Sequence, residues 1–241
     1  MRTWDLVERP KDKTVLKGRW VFKRKLGPDG EVLKYKARWV ARGDMQEALV
    51  DYEETFSSVV KSMAYKMMFN RAAVLDLEIE QVDVDVAFLN STIDYEVYVE
   101  QPEGLEDGTR RVCKLNRTLY GFRQSPRAWY LTLKDFFHSY GLFTAAADNS
   151  VFFYEDIQVA VYVDDLLIFG ADKAKVQHLK NALNGRFSMK DLGPVKWYLG
   201  ISIERNRSER TIKLSQKAYL EKVLSRFGML HCNADEVPMT V

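Results

Sequence analysis

The stretch Val159-Ala160-Val161-Tyr162-Val163-Asp164-Asp165-Leu166-Leu167-Ile168-Phe169 decides how this chain is read. Two apolar runs of strand length, rich in β-branched and aromatic residues, are interrupted by adjacent carboxylates. The pattern is a buried hairpin with its bend at Asp164-Asp165. Neighbouring anions at such a bend are costly to desolvate unless a cation or hydrogen-bond donors compensate them. Asp83, near the end of a strand read over Glu78 to Val86, is a carboxylate in a similar position. If the two strands are neighbours, Asp83 and Asp164 could bind two divalent ions about 3.5–4 Å apart, the geometry that activates a hydroxyl nucleophile and stabilises a leaving pyrophosphate. An Asp-Asp pair is also a common solvated tight turn.

Outward from this hairpin the chain alternates between strand and helix signals. Val151 to Tyr154 reads as a strand before it, and Lys173 to Phe187 as a helix after it. Trp129, Tyr130, Leu133, Phe136 and Phe137 recur at helical spacing between Pro126 and Gly141, which mark a start and a stop. Met63 to Leu75 reads as a helix with Ser62 as cap and Met67, Met68, Val74 and Leu75 as core. Tyr95 to Glu100, Trp197 to Glu204 and Thr211 to Leu214 read as strands, and Gln216 to Phe227 as a terminal helix. Trp20 to Leu26 and Val32 to Arg42 form a hairpin about Gly27-Pro28-Asp29-Gly30. Strand alternation places Lys34, Lys36, Arg38, Val40 and Arg42 on one of its faces and Tyr35, Ala37 and Trp39 on the other. Mixed helices and antiparallel hairpins mean α+β, not a parallel doubly wound sheet, and no G-x-G-x-x-G or Walker loop is present.

With 241 residues, 46% hydrophobic and 29% charged, the chain can bury a sizeable core, which excludes disordered and fibrous classes. Two cysteines, Cys113 and Cys232, are too few for a disulfide scaffold and fit free thiols. No apolar run is long enough to span a membrane, so no membrane partner is expected, and the charged start excludes a signal peptide. The chain therefore reads as intracellular. Net charge is only +2, but twelve basic and three acidic residues lie between Arg9 and Arg42. Sixteen carboxylates against three cations follow from Asp44 to Asp107, then seven cations and no acid from Gly108 to Lys134. Such blocks could hold a polyanion in a basic cleft beside an acidic centre that concentrates divalent cations, although charge runs also mark solvated faces. His138, His178 and His231 are scattered and carry no site.

In this company the carboxylates acquire a meaning. TWDLVERPKDK, GRWVFKRK, DGEVLKYKARWVARG, DYEETFSSVVK, QVDVDVAFLN, EVYVEQPEG, LYGFRQSPRAWY, YVDD, FSMKDLGPVKWYLGISI and LSQKAYLEKVLSRFGM occur in that order. From Trp4 to about Pro238 the chain resembles the reverse transcriptase domain of copia-type LTR retrotransposons. The resemblance implies a right-hand polymerase fold: fingers over about 1–75, palm over 76–107 and 129–204, a fingers-palm boundary at 108–128, and a palm-to-thumb connection over 205–241. The palm sheet would be antiparallel and backed by helices, with the thumb minimal or absent. No RNase H, integrase or protease region falls within the sequence, so it reads as a polyprotein fragment, a processed domain or a relic gene.

Carried over by motif, Asp83, Asp164 and Asp165 are the catalytic carboxylates and, with the Val84 carbonyl, hold two Mg²⁺ ions, with Mn²⁺ as substitute. Lys190 would protonate the leaving pyrophosphate, or is a surface lysine in a turn. Lys36 and Arg38 would grip the triphosphate of an incoming dNTP. Phe88 would exclude a ribose 2′-hydroxyl, its alternative being ordinary core packing, and Tyr120 and Gly121 would cover the nascent base pair. Gln124, Ser125 and Pro126 would touch the template or shape that floor. Tyr162 would lie at the template-primer, and Tyr198, Leu199 and Gly200 resemble the turn that positions a primer end. Asp85 and Val86 stand where the family often has Lys and Thr. The expected partners are an RNA or DNA template with its primer, dNTPs, and an RNase H or integrase domain of the parent polyprotein. The expected location is the cytoplasm, in virus-like particles, with the nucleus as the alternative. The rival reading is a catalytically silent relic that binds nucleic acid or a protein through the same basic surface, and a third is a structural subunit of a larger polyprotein.

Overall fold

The computed structural model describes residues 2–26 and 31–233. The turn read at Gly27-Pro28-Asp29-Gly30, and Pro238, lie outside the described residues. Strands β1 (Trp4–Val7), β2 (Val15–Leu16), β3 (Gly18–Leu26) and β4 (Val32–Ala41) come first, followed by helix α1 (Ser62–Leu75) and strand β5 (Glu78–Val84). Short strands β6 (Tyr98–Val99) and β7 (Val112–Leu115) precede helix α2 (Ser125–Tyr140). A meander of β8 (Phe143–Ala145), β9 (Asp148–Tyr154), β10 (Ile157–Tyr162) and β11 (Asp165–Gly170) then leads into helix α3 (Lys173–Arg186). Strands β12 (Met189–Pro194), β13 (Trp197–Tyr198), β14 (Ile201–Asn206) and β15 (Thr211–Ser215) and helix α4 (Lys217–Arg226) complete the described chain.

A six-stranded sheet in the order β12-β5-β11-β10-β9-β8 organises the molecule, and all its pairings are antiparallel. Alternation along its strands supplies two apolar faces. Val82, Leu166 and Ile168 pack against Trp129, Leu133 and Phe137 of α2 and Leu179 and Leu183 of α3. On the other face Ile79, Leu167 and Phe169 pack against Tyr65, Met68, Phe69 and Ala72 of α1 and Tyr198, Ile201 and Ile203 of the three-stranded sheet β13-β14-β15. A third cluster around Leu16, Val99, Leu115 and Phe122 joins the four-stranded sheet β1-β7-β6-β2 to Ala41 at the base of the β3-β4 hairpin. No helix among the described residues is long and apolar enough to cross a membrane.

Mixed helices and largely antiparallel sheets follow the α+β reading, while several local readings shift. Ser62 is the first residue of α1 and Lys61 takes the cap position, without a side-chain capping bond. Met68 is core, but Met67, Val74 and Leu75 are exposed. Because α1 is apolar nearly all round, the choice of buried face falls to the partner surface, and that surface takes Tyr65, Met68, Phe69 and Ala72. The strand expected over Tyr95 to Glu100 keeps only Tyr98–Val99. The strand from Glu78 ends at Val84, ahead of Val86 in the left-handed region (φ 48°). The single strand expected over Trp197 to Glu204 is two, β13 and β14, folded back on each other at Leu199 and Gly200 (φ 48° and 82°).

Candidate active site

Val163 and Asp164 form a two-residue loop between β10 and β11, with Tyr162 and Asp165 paired across it. The other neighbour of β11 is β5, and their register sets Asp165 directly opposite Asp83. The Val84 N–H donates to the Asp164 carbonyl at 2.8 Å, tying the loop to the end of β5. By alternation Asp83 and Asp165 share the face of Ile79 and Leu167, at its end, where both are partly exposed. Gln81, two residues before Asp83, donates to Asp165 Oδ1 at 3.5 Å. Sequence reading missed Gln81, although its i−2 spacing from Asp83 was the available signal.

Electrostatics at this end of the sheet are strained by like charge. Burial, then the charge of Asp164, holds the Asp83 carboxyl above the usual carboxylate range, and Lys190 and Lys36 partly offset this. Burial, then Asp164 and Asp83, does the same to Asp165. Lys190 sits opposite Asp83 on β12. Its Nζ is 2.7 Å from Asp85 Oδ1 and 3.9 Å from Asp83 Oδ2. The Asp85 hydrogen bond raises the Lys190 pKa, and that of Lys190 lowers Asp85. Ser188 also donates to Asp85 at 3.3 Å.

Clustered carboxylate oxygens that repel one another suit a hard divalent cation, which takes oxygen ligands and relieves the repulsion. Among the described residues no group of three or more His, Cys, Asp or Glu side chains is arranged to hold a metal ion.

Facing these anions is the β3-β4 hairpin. Its register sets Lys23 opposite Lys36, Lys25 opposite Lys34, Val21 opposite Arg38 and Arg19 opposite Val40. Six cations thus share one face, of which Arg19, Lys23 and Lys25 were not placed by the sequence reading. Like charges directly opposed destabilise a strand pair, so this face favours an anion lying across it. Lys36 lies near enough to Asp83 to offset part of its upward shift, and Lys34 near enough to Asp85 to add to its downward one. The Arg38 guanidinium sits 5.3 Å from the centre of the Tyr120 ring, and the Phe88 ring lies 4.7 Å from Tyr120. Ala41 N–H donates to the Tyr120 carbonyl at 2.9 Å. Gly121 (φ 97°) is needed there, because a Cβ would collide with the Ala41 carbonyl.

Residues 1–241 match the family model for reverse transcriptase (RNA-dependent DNA polymerase). The chain belongs to this family. Over 98% of its length this reverse transcriptase domain is 43% identical to the retrovirus-related Pol polyprotein from transposon TNT 1-94 of Nicotiana tabacum, covering 18% of that polyprotein. It is 39% and 38% identical to those from transposons RE2 and RE1 of Arabidopsis thaliana, covering 17% and 16% of them. The domain thus spans under a fifth of the length of these curated relatives. The likeness identifies a copia-type reverse transcriptase domain, of a nucleotidyltransferase family that generally uses divalent metal ions.

The domain brings Asp83, Val84, Asp164, Asp165 and Lys190 together, with Lys36, Arg38, Phe88, Tyr120 and Gly121 grouped beside them. Other readings change. Gln124 is 8% exposed, donating to the Asp51 carbonyl and accepting from Gln46, both at 3.0 Å. Ser125 is fully buried and donates to the Leu119 carbonyl at 2.6 Å. Both side chains are turned into the protein at the start of α2. Tyr198 is 1% exposed and belongs to the core, with the adjoining Leu199-Gly200 turn nearer the surface. Pro126 is partly exposed and Tyr162 exposed. Trp129, read only as one of the apolar residues recurring at helical spacing, is core, and its indole N–H donates to the Val163 carbonyl at 2.7 Å.

Proposed function

We propose that the chain is an RNA-directed DNA polymerase domain that extends a primer 3′-hydroxyl with dNTPs. The observation that carries this reading is the opposition of Asp83 and Asp165 at one end of the central sheet, with Asp164 tied to Val84 and six cations on the facing hairpin. Fingers would comprise residues 1–75, palm 76–107 and 129–204, their boundary 108–128 and the thumb connection 205–241.

Two Mg²⁺ ions, replaceable by Mn²⁺, held by Asp83, Asp164, Asp165 and the Val84 carbonyl, would lower the pKa of the primer hydroxyl and neutralise phosphate charge. The chain's own residues do the rest by placement. Lys36 and Arg38 receive the triphosphate, an ammonium as a point charge and a guanidinium as a fork. Arg38 is held over Tyr120, so the cation, the ring and Gly121 form one wall of the nucleotide site. Phe88, against Tyr120, closes the space where a ribose 2′-hydroxyl would project. Lys190, paired with Asp85, is the group positioned to hand a proton to the leaving pyrophosphate. An RNA-DNA hybrid would be held through phosphates and shape.

The test is primer extension on poly-rA with oligo-dT, comparing the wild type with Asp164→Asn in Mg²⁺ and in Mn²⁺. Extension by the wild type alone supports the reading. Equal background signals with hybrid binding retained would replace it with a nucleic-acid-binding relic.

A further inference from the structure

Val163 is an unusual residue for its place. In a two-residue hairpin loop a positive φ at the first central position favours glycine, yet a β-branched side chain occupies it at φ 57°. Such a conformation is strained and persists only where the surroundings over-determine it. Here two carbonyls are held from opposite sides. The Val163 carbonyl accepts from Trp129 Nε1 at 2.7 Å, and the next one, of Asp164, accepts from the Val84 N–H at 2.8 Å. These are the peptide groups on either side of the Asp164 Cα, so the Asp164 side chain departs from a frame anchored to α2 and to β5.

We propose that Trp129 is a positioning residue, whose indole N–H holds the strained Val163 carbonyl and thereby sets where Asp164 stands. Its effect on rate rests on the polymerase reading above, whereas the clamp itself does not. Trp129 is suited to the task because it cannot move: it is 1% exposed and its ring packs edge-on against Phe187 at 5.2 Å. A buried indole N–H requires an acceptor, and this one finds it in the loop that carries the carboxylate. Phe187 leads directly into Ser188, whose carbonyl accepts from the Asp85 N–H at 2.8 Å. One indole therefore contacts the Asp164 loop and the segment entering β12, which carries Lys190.

Trp129→Phe keeps an aromatic ring in the core and deletes the N–H. The expected result is a fall in kcat of about 10- to 100-fold, the scale of an ångström-sized misplacement, with KM for dNTP changed less than about twofold. Hydrogen exchange at the Val84 amide should accelerate about tenfold or more, because its acceptor is released. Adding Val163→Gly, which adopts the loop conformation without strain, should restore most of kcat. A purely structural tryptophan would not be rescued by a glycine in the loop. Unchanged kcat and unchanged Val84 exchange in Trp129→Phe, or a loss that Val163→Gly leaves in place, overturns the proposal. In the wild type, with no substitution, the Trp129 indole N–H and the Val84 amide should exchange together, and an indole exchanging more than about tenfold faster would also overturn it. If the wild type extends no primer, the polymerase reading falls and the two exchange measurements alone decide the clamp.

Discussion

Asp83 and Asp165 stand directly opposite each other on adjacent antiparallel strands, with Asp164 tied by its backbone to the residue after Asp83. Burial, then the charge of Asp164, pushes both opposed carboxyls upward, so the metal-free fold carries an electrostatic load at this end of the sheet. Asp83→Asn should therefore raise the thermal midpoint of the metal-free protein by roughly 2–4 °C, what about 1 kcal/mol yields at this size, while primer extension falls by about 1,000-fold or more. Mg²⁺ should raise the wild-type midpoint and leave that of the variant unchanged. Scanning fluorimetry with and without Mg²⁺ reads both effects, and an equal Mg²⁺ shift in the two proteins would detach Asp83 from the metal.

Lys23 opposite Lys36 and Lys25 opposite Lys34 make the hairpin face self-repelling until an anion lies on it. Hybrid affinity should fall steeply with salt, and each phosphate that a variant no longer neutralises should reduce the slope of log K against log salt by about 0.9. Replacing Lys23 and Lys34 by Gln is expected to flatten the slope by nearly two such steps without lowering the thermal midpoint. Fluorescence anisotropy across a salt series measures it, and an unchanged slope would place the nucleic acid elsewhere.

How far these features could be read in advance follows from their physical range. The β10-β11 hairpin, α2 with its Pro126 start and Gly141 stop, and α3 were legible because their signals are local and periodic. The meeting of Asp83 with Asp164-Asp165 was legible only as a condition, since pairing between distant strands leaves no trace in spacing. The sequence reading paired Asp83 with Asp164, yet Asp165 opposes Asp83 while Asp164 occupies the loop. The face of α1 was illegible because Met63, Met67, Val74 and Leu75 are as apolar as the residues that became core, and only Leu167, Phe169 and Tyr198 decide between them. The Trp129 bond was hidden for a different reason: an indole read as packing gives no sign of where its N–H points.

Cys113 and Cys232 are both free, but their surroundings differ. Cys113 is buried on β7, where burial, then the charges of Glu100 and Asp107, push its thiol up to about 11. A maleimide near neutral pH should label the exposed Cys232 rapidly and Cys113 only on unfolding. The sign of the linkage follows. An unfolded thiol loses its proton near pH 8.5 and the folded one later, so stability should fall as pH rises from about 8.5 towards 11. Denaturant midpoints across that range should drop more for the wild type than for Cys113→Ala, and parallel curves would refute the assignment.

Lys180 joins three elements from within. Its side chain is 7% exposed on α3, with Nζ 2.9 Å from Glu80 of β5 and 2.6 Å from Asp191 of β12. Burial alone would lower the ammonium pKa, but the hydrogen bonds it donates to Asp191 and Glu80 outweigh it and the net shift is upward, so the ammonium stays charged through neutral pH. Lys180→Met would strand the Glu80 carboxylate, 10% exposed, without its cation. Breaking a buried pair in this way costs about 3–5 kcal/mol, or a loss on the order of 10 °C in thermal midpoint for a chain of this size. Adding Glu80→Gln removes the stranded charge and should recover a large part of that loss. Circular dichroism melts of the single and double variants provide the comparison, and equal losses would mean that Lys180 acts through its aliphatic stem alone. Because β5 and β12 also carry Asp83 and Lys190, the single variant should lose primer extension at temperatures where the double variant retains its fold.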